Sequence, residues 1–311
     1  MRAVRTTVIV NPSAASGRAG RLEGQIREDL ESAGISYVWA PTEGPRHATE
    51  LARRAVEDQV DTILTVGGDG TLNEVIHGYL DETGRPRRGP ALCVLPVGTG
   101  GDFRKTFDWE DGVAAGLERL RRGRKRPLDL GLVELTRLDG SLERRAFVNI
   151  LSFGVGGVTD QLVNAGPKWI GGKAAFFLGA LRATFAYRPV PVEVLVDGDA
   201  WLTSPILNVA LANGRFFGGG MHIAPEADPS DGWLDLVAIT DRNAVQSLGL
   251  APYLYRGTHM NQAGVHGRRG RRVEARPTRP DAEVLIDLDG EMPGKLPLTA
   301  ELAPGAIDLL V

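Results

Sequence analysis

The run Val66-Gly67-Gly68-Asp69-Gly70-Thr71-Leu72-Asn73-Glu74-Val75 decides how this chain reads. An apolar, strand-like segment precedes it, Thr62-Ile63-Leu64-Thr65-Val66. After it, apolar side chains recur at Leu72, Val75, Ile76, Tyr79 and Leu80, a spacing that shares one helical face. Three glycines and a carboxylate therefore occupy a strand-to-helix turn. Such a turn offers bare backbone N–H groups and a helix N-terminus to phosphate. Glycine lets a ligand approach the backbone closely. Asp69 sets a carboxylate beside that anion site, an arrangement that a bound Mg²⁺ makes favourable. The pattern is neither GxGxxG nor a loop followed by Gly-Lys-Ser/Thr. A tight turn that only joins strand to helix is the plain alternative.

Outward from this turn, the first third alternates short apolar runs with helical patterns. Thr7 to Val10 ends at Asn11-Pro12, and Leu22, Ile26 and Leu30 follow at helical spacing. Tyr37-Val38-Trp39 precedes a helix marked by Ala48, Leu51, Ala52 and Val56. Ala91 to Leu95 reads as a fourth strand and Val113 to Leu120 as a further helix. Such alternation implies a parallel sheet covered on both faces, with ligands outside its C-terminal strand ends. The character changes near Arg121 to Pro127. Beyond it short β-type runs dominate, at 131–135, 146–151, 192–196, 206–212, 234–239, 282–286, 298–301 and 306–310. Glycine and proline punctuate them, which suggests an antiparallel sandwich or barrel. Helical insertions are expected at 173–186 and 244–255. The reading is thus two domains, 1–130 and 131–311, with a cleft between an α/β half and a β half.

At 311 residues the chain suits one large domain or two medium ones. Its net charge of −3 argues against a general nucleic-acid partner. The single cysteine, Cys93, excludes an internal disulfide and lies in a run that reads as buried strand. No N-terminal apolar leader and no run of 18 apolar residues stands out. A cytoplasmic protein is expected, at most peripheral to a membrane, with a homodimer left open.

Several further motifs fall where the strand runs end. Asn11-Pro12 with Ser16-Gly17 can wrap a phosphate or cap the next helix. Thr42 offers a hydroxyl after the second strand, as a nucleotide contact or a simple turn. His47 reads as a helix start. Pro96-Val97-Gly98-Thr99-Gly100-Gly101-Asp102-Phe103 is a second glycine-rich turn, able to close with the first round one triphosphate. Asp102 would join Asp69, and two such carboxylates repel unless a cation or donor intervenes. Asp129 sits at the domain junction, near the phosphate or in a surface turn. Gly218-Gly219-Gly220-Met221-His222-Ile223-Ala224-Pro225 leads into Asp228-Pro229-Ser230-Asp231-Gly232-Trp233-Leu234-Asp235. Acids clustered in a short glycine-containing loop suit a hard cation, and an ordinary Asp-Gly turn is the rival. His222 has no second ligand at metal spacing. Asp289-Gly290-Glu291 can be a hairpin turn, or it can bring a carboxylate to an attacking hydroxyl.

In order, these motifs resemble the bacterial diacylglycerol kinase-like lipid kinases, which share a catalytic domain with sphingosine kinases. The matching signals are NPxxxxG, the Thr42 segment with His47-Ala48, GGDGTLNEV, PVGTGGDF, GGGMxxAPxA, SDGWLDL and DGE. The resemblance implies a Rossmann-like, NAD kinase-like parallel-sheet domain followed by an antiparallel β-sandwich, with the active site in the cleft. It implies ATP at Asn11, Thr42, Gly67, Gly68, Asp69, Gly70, Thr71, Asn73, Gly98 and Thr99. Asp69, Asp102 and Asp129 match the active-site acids that organise phosphates and Mg²⁺, and Glu291 matches the general base. Asp231, with the backbone carbonyls of Asp228 and Trp233, matches a second, structural Mg²⁺ site.

The usual GTxNDFA motif departs here, with Gly101 for Asn and Arg104 for Ala. The expected reaction is γ-phosphoryl transfer from ATP to a lipid hydroxyl, diacylglycerol first, at a membrane surface. An NAD kinase-like enzyme of a soluble substrate and an inactive lipid-binding protein are the alternatives. Trp169, Ile170 and Phe176 to Leu178 are candidates for a lipid entry or membrane-facing patch, or for buried core. The arginines from Arg268 to Arg276 can meet anionic headgroups or stand in a solvated loop.

Overall fold

A computed structural model describes residues 5–98, 100–165, 179, 182–240 and 243–311. Thr99 and the apolar segment 169–178 fall outside the described residues. The chain forms two compact units. One runs to Leu130 and takes in Ala303–Val311, and the other is Gly131–Leu302.

In the first unit, β1 (Arg5–Val10), β2 (Ser36–Pro41), β3 (Thr62–Gly67) and β4 (Ala91–Pro96) are parallel and lie in the order β2-β1-β3-β4. The chain leaves β1 to one side for β2 and returns on the other for β3. That reversal is a topological switch point, where ligands bind beyond the C-terminal strand ends. One apolar cluster joins Val8, Val10, Leu64, Val66, Cys93 and Leu95 to Ile26 and Leu30 of α2 (Glu23–Ser32). Leu117 and Leu120 of α6 (Val113–Arg122) complete it. α3 (His47–Glu57) and α4 (Asp69–Gly78) pack on one another and on β1 and β3. Both faces of the sheet are therefore covered, as near-continuous apolar strands require. Cys93 is buried, and burial pushes its thiol up to about 12.

The second unit is antiparallel. Its strands include β5 (Lys125–Thr136, entering from the first unit), β6 (Leu142–Phe147), β7 (Ile150–Gly154), β8 (Val190–Val196) and β9 (Asp199–Ala212). β10 (Leu234–Thr240), β11 (Val265–Gly270), β12 (Arg272–Pro277), β13 (Ile286–Leu288) and β14 (Lys295–Leu310) follow. The sheet runs β11-β10-β9-β8-β12-β14, β7 pairs with β9 and β13, and β5 pairs with β6. Phe147, Phe153, Val194, Val209, Leu236, Ile286 and Leu298 form the middle of the sandwich core. Helices stand aside from it, among them α7 (Val155–Ala165) and α8 (Ala244–Arg256).

Four sequence expectations change. The runs 298–301 and 306–310 are one strand, β14, and its tail belongs with the first unit, where Leu309 pairs with Leu92. The expected strand 146–151 is two strands, β6 and β7. The Asp289 carboxylate accepts the N–H groups of Val148, Asn149 and Ile150 at 2.9, 3.1 and 2.9 Å. Those donors are thereby diverted from a continuous ladder. The strand expected at 282–286 is the short β13, shifted to residues 286–288. The arginines from Arg268 to Arg276 lie on β11 and β12, not in a loop. There Arg268, Arg269, Arg272 and Arg276 pair with Asp199, Asp231, Glu274 and Glu193. Of these, Arg276 and Glu193 stand directly opposite across β12 and β8, a pairing that stabilises sheet surface, and all four guanidinium groups are bound to carboxylates of the protein.

Gly131 stands opposite Phe147 in the β5–β6 ladder, and a Cβ there would overlap the ring. Gly131→Ala is expected to destabilise the protein by about 1–3 kcal/mol through overpacking. Urea unfolding checks this, and an unchanged midpoint would show that Phe147 is free to move.

Candidate active site

The two glycine-rich turns meet. Gly67 closes β3, and Gly68 is the N-cap of α4 with extended backbone. A Cβ at Gly98, just beyond β4, would stand 2.7 Å from the Cα of Gly68. No side chain fits between these backbones, so the Gly98 position is sterically restricted to glycine. Asn11 ties the end of β1 to the same place. Its Nδ2 donates to Thr71 Oγ1 at 3.1 Å, and its Oδ1 accepts the Ser13 N–H at 3.1 Å. Thr42 begins where β2 ends, its N–H bonded to Val10 O at 2.7 Å. Asn11, Thr42, the Gly67–Thr71 turn and Gly98 thus line one edge of the sheet. Gly70 is exposed, whereas Asn73 is 2% exposed and faces the interior.

After β1 the chain takes a left-handed course. Ala15, Ser16 and Gly17 have φ of 52, 57 and 82°. For alanine and serine that conformation is strained, and such strain gathers at ligand-holding loops. Of the three, only Gly17 adopts such a φ without strain.

Asp69 lies in the first turn of α4, with its carboxyl end against the second turn. Asp102 N–H approaches its Oδ2 at 3.4 Å. Asp69 is held above the ordinary carboxylate range, first by burial and then by the Asp102 charge. Backbone N–H groups of Asp102, Phe103 and Gly101 act the other way. Asp102 opens α5 (Asp102–Thr106), a helix too short to persist alone. Packing holds it, since the buried Phe103 lies 5.0 Å from Phe107 and 6.0 Å from Trp109 between ring centroids. Arg104 donates to Trp109 O at 2.7 Å.

Lys105, which the motif reading passed over, places its Nζ 2.7 Å from Asp102 Oδ1. Part of the cation that the Asp69–Asp102 pair demands is therefore supplied by the protein. Its signal in sequence was the i, i+3 spacing of Asp102 and Lys105 on a helix. Asp129 is 1% exposed inside β5 and accepts the Gly305 N–H at 2.6 Å, so the surface-turn alternative is excluded.

The second unit contains two acidic turns of its own. At the first, Glu291 follows a pair of aspartates that lock the backbone. Asp289, at φ 49°, takes the three N–H groups already described, and Asp287 accepts Gly290 N–H at 2.9 Å and Ser152 Oγ at 3.2 Å. Glu291 itself is half-exposed, with Oε2 2.8 Å from Arg145 Nη2. Neither Asp287 nor Arg145 was singled out in sequence, although alternating acids in an apolar strand were a legible sign.

At the second, Asp228 O accepts Asp231 N–H at 3.2 Å, and Asp228 Oδ1 accepts Ser230 N–H and Oγ at 3.1 and 2.8 Å. Asp231 Oδ1 accepts Trp233 N–H at 3.0 Å, and its Oδ2 is paired with Arg269. Register fixes Arg269 there, because it stands opposite Asp235 across β10 and β11. As folded, both Asp231 oxygens are engaged, and a divalent ion would have to displace Arg269. Among the described residues no group of three His, Cys, Asp or Glu is gathered for a metal. The Asp69–Asp102 pair fits a divalent ion better, since Asp102 is buried, Asp69 is half-buried and their charges repel.

Glycine-rich turns at the ends of a switched parallel sheet, followed by an antiparallel sandwich, define an NAD kinase-like fold. The diacylglycerol kinase catalytic domain family matches residues 5–133, and the YegS C-terminal NAD kinase beta sandwich-like domain family matches residues 149–311. The diacylglycerol kinase of Bacillus subtilis (strain 168) is 28% identical over 298 residues, covering 94% of this chain and 91% of its own. A crystal structure of a diacylglycerol kinase from Bacillus anthracis str. Sterne superposes with TM-score 0.72 at 20% identity, over 100% of this chain and 97% of that one. Yeast NADH kinase complexed with NADH shares the fold at TM-score 0.53 and 11% identity, over 99% of this chain and 83% of that one. The chain belongs to the YegS-like diacylglycerol kinase family, and it is an enzyme of the lipid-kinase class.

The raised Asp69 value has a testable sign. A carboxyl whose value is higher folded than unfolded weakens the fold when ionised. That penalty is complete above the raised value and absent below the unfolded one. Asp69→Asn removes it. Its Tm is expected to exceed that of the unchanged protein at about pH 8, with the difference shrinking towards about pH 4. A difference that widens on acidification would contradict the burial of this charge.

Proposed function

We propose that this chain transfers the γ-phosphoryl group of ATP to the hydroxyl of a lipid, with diacylglycerol as the acceptor. The observation that carries this reading is the contact of the Gly68 and Gly98 turns at the strand ends, with Asp69 enclosed beside them. Such a transfer runs on positioning and electrostatics more than on covalent chemistry.

In this reading the N–H groups of Gly67 to Thr71 and of the Gly98 turn hold the triphosphate, with Asn11, Thr42 and Thr99 as hydroxyl and amide contacts. Asn73 supports α4 from beneath. Asp69 and Asp102 would hold Mg²⁺, which when bound neutralises charge on the phosphate oxygens. Lys105 adds a further positive charge to the same acids. Asp129 braces the strand end. The lipid oxygen bonds to the γ-phosphorus as the bridging bond to ADP breaks, and Glu291 takes the hydroxyl proton. Arg145 sets the direction in which that carboxylate points. Asp231, with the carbonyls of Asp228 and Trp233, binds a second ion only where Arg269 withdraws. A supply of ATP places the reaction on the cytoplasmic side. No helix among the described residues is long and apolar enough to cross a membrane, so the enzyme would meet its lipid from the surface.

The fold shared with yeast NADH kinase favours one second reading, a soluble acceptor. A panel of diacylglycerol, phosphatidylglycerol, a sphingoid base and NAD with labelled ATP separates the two. Phosphorylated diacylglycerol is the expected product, and turnover of NAD alone would replace this reading with the second.

Glu291→Gln keeps the size of the side chain and removes the base. It is expected to lower kcat by about 10²- to 10⁴-fold, with KM for ATP little changed. Retention of near-normal kcat would assign the proton to another group.

A further inference from the structure

The β11–β12 hairpin presents two arginines, Arg269 and Arg271, to the acidic turn that precedes β10. Strand register places them. Asp235 stands opposite Arg269, and Leu234 opposite Gly270. Gly270 has no room for a side chain, because a Cβ there would overlap Val196 Cγ1 of β8. Asp197 fixes the backbone just beyond, its Oδ1 accepting the N–H groups of Arg271 and Arg272 at 2.9 and 2.8 Å. A slip of one residue would turn every side chain of β11 to the other face. The strand pairing, and not the acids alone, therefore holds both arginines where they stand.

Each arginine takes a different part of the turn. Arg269 Nη2 is paired with Asp231 Oδ2, and its Nε lies 3.4 Å from Asp235 Oδ2, so one guanidinium spans two carboxylates. The Asp235 side chain is only 13% exposed, and a carboxylate at that depth needs a counter-charge. Arg271 Nε donates to Gly232 O at 3.1 Å. The guanidinium carbons of Arg269 and Arg271 lie 5.8 and 4.4 Å from the Trp233 ring centroid, in reach of its π-face.

A hard divalent ion gathers about six or more oxygens, carboxylates foremost. Here Asp231 Oδ1 is bonded to Trp233 N–H, and Asp228 Oδ1 to Ser230. Asp231 Oδ2 already carries a cation, and a second guanidinium stands on the carbonyl of the next residue. A divalent ion placed among these oxygens would meet both positive charges at close range. As folded, the donors of this turn do not fit the structural Mg²⁺ that the family motif implies.

We propose that Arg269 is the resident cation of this turn and stands in place of that Mg²⁺, so that residues 228–235 keep their fold without a divalent ion. A guanidinium is always charged, and its planar fork can meet two carboxylates at once. The turn then holds its shape whatever the concentration of free Mg²⁺. In the kinase reading, this leaves Asp69 and Asp102 as the acids with a use for the ion. The role of Arg269 itself does not depend on that reading or on the acceptor.

Mn²⁺ binding to the full chain, followed by electron paramagnetic resonance, tests this. Asp231→Asn is expected to leave the number of bound ions as it is in the unchanged protein. Arg269→Met keeps the apolar stem and removes the charge. It is expected to raise the number by about one ion per chain, and to lose that ion again when Asp231→Asn is added. Thermal unfolding gives an independent readout. The Tm of Arg269→Met is expected to fall by several degrees in EDTA and to recover in part with Mg²⁺. The difference in Tm between EDTA and Mg²⁺ is expected to be the same in the unchanged protein and in Asp231→Asn.

Loss of a bound ion in Asp231→Asn alone overturns the proposal, since it would place a divalent ion on this turn beside or instead of Arg269. An Arg269→Met chain that folds and binds no additional Mn²⁺ overturns it too, because the turn would then be no place for a cation. The Asp231→Asn comparison retains the arginine, so it decides the matter even where Arg269→Met does not fold. If both variants behave as expected and no acceptor is phosphorylated, Arg269 stands as the cation of the turn and the kinase reading fails.

Discussion

Gly68 and Gly98 face one another as bare backbone, and the first unit depends on that contact. Each turn ends a buried parallel strand, so the sheet register brings the two together. A side chain at Gly98 would hold them apart. Held together, they aim the start of α4 and the start of α5 at the same region. Asp69 is enclosed there as a consequence. Its carboxyl is poorly solvated and lies near Asp102, an expensive arrangement for a structural residue. Such a group binds a cation or a positively charged side chain strongly.

Each acid singled out in the chain meets a counter-charge or an N–H donor. Lys105 stands on Asp102, Arg145 on Glu291 and Arg269 on Asp231. Asp129 and Asp289 accept backbone N–H groups instead. The two solutions do different things. Backbone donors fix the path of the chain, as at the break between β6 and β7. Side-chain cations neutralise without fixing, and they can move when a ligand of higher charge arrives. Lys105 and Arg145 are part-exposed through flexible stems, so they can stay near an anion while exchanging partners.

The motifs gave most of the first unit because each strand there is an uninterrupted apolar run and each helix has a clear apolar face. The Asn11, Thr42, Gly67 and Gly98 positions follow directly, since strand ends in a parallel sheet share an edge. The second unit was less legible. β11 and β12 carry arginines where a strand usually shows apolar alternation, and only Val273 and Ala275 betray the buried side. β14 reads as two strands because Pro304 and Gly305 interrupt its pattern, while its ladder continues past them. Arg145 was invisible for a different reason, in that a lone cation carries no motif, whereas Lys105 had only its i, i+3 spacing from Asp102 to betray it.

Sequence alone determined the glycine-rich turns, the acids beside them and the family, because each needs only local residue types in order along the chain. Tertiary structure decided which backbones touch, which acid lies buried, and which cation stands on each carboxylate. It decided too that the tail of the chain joins the first unit. These are matters of register and burial between residues far apart in the chain, and no local pattern encodes them.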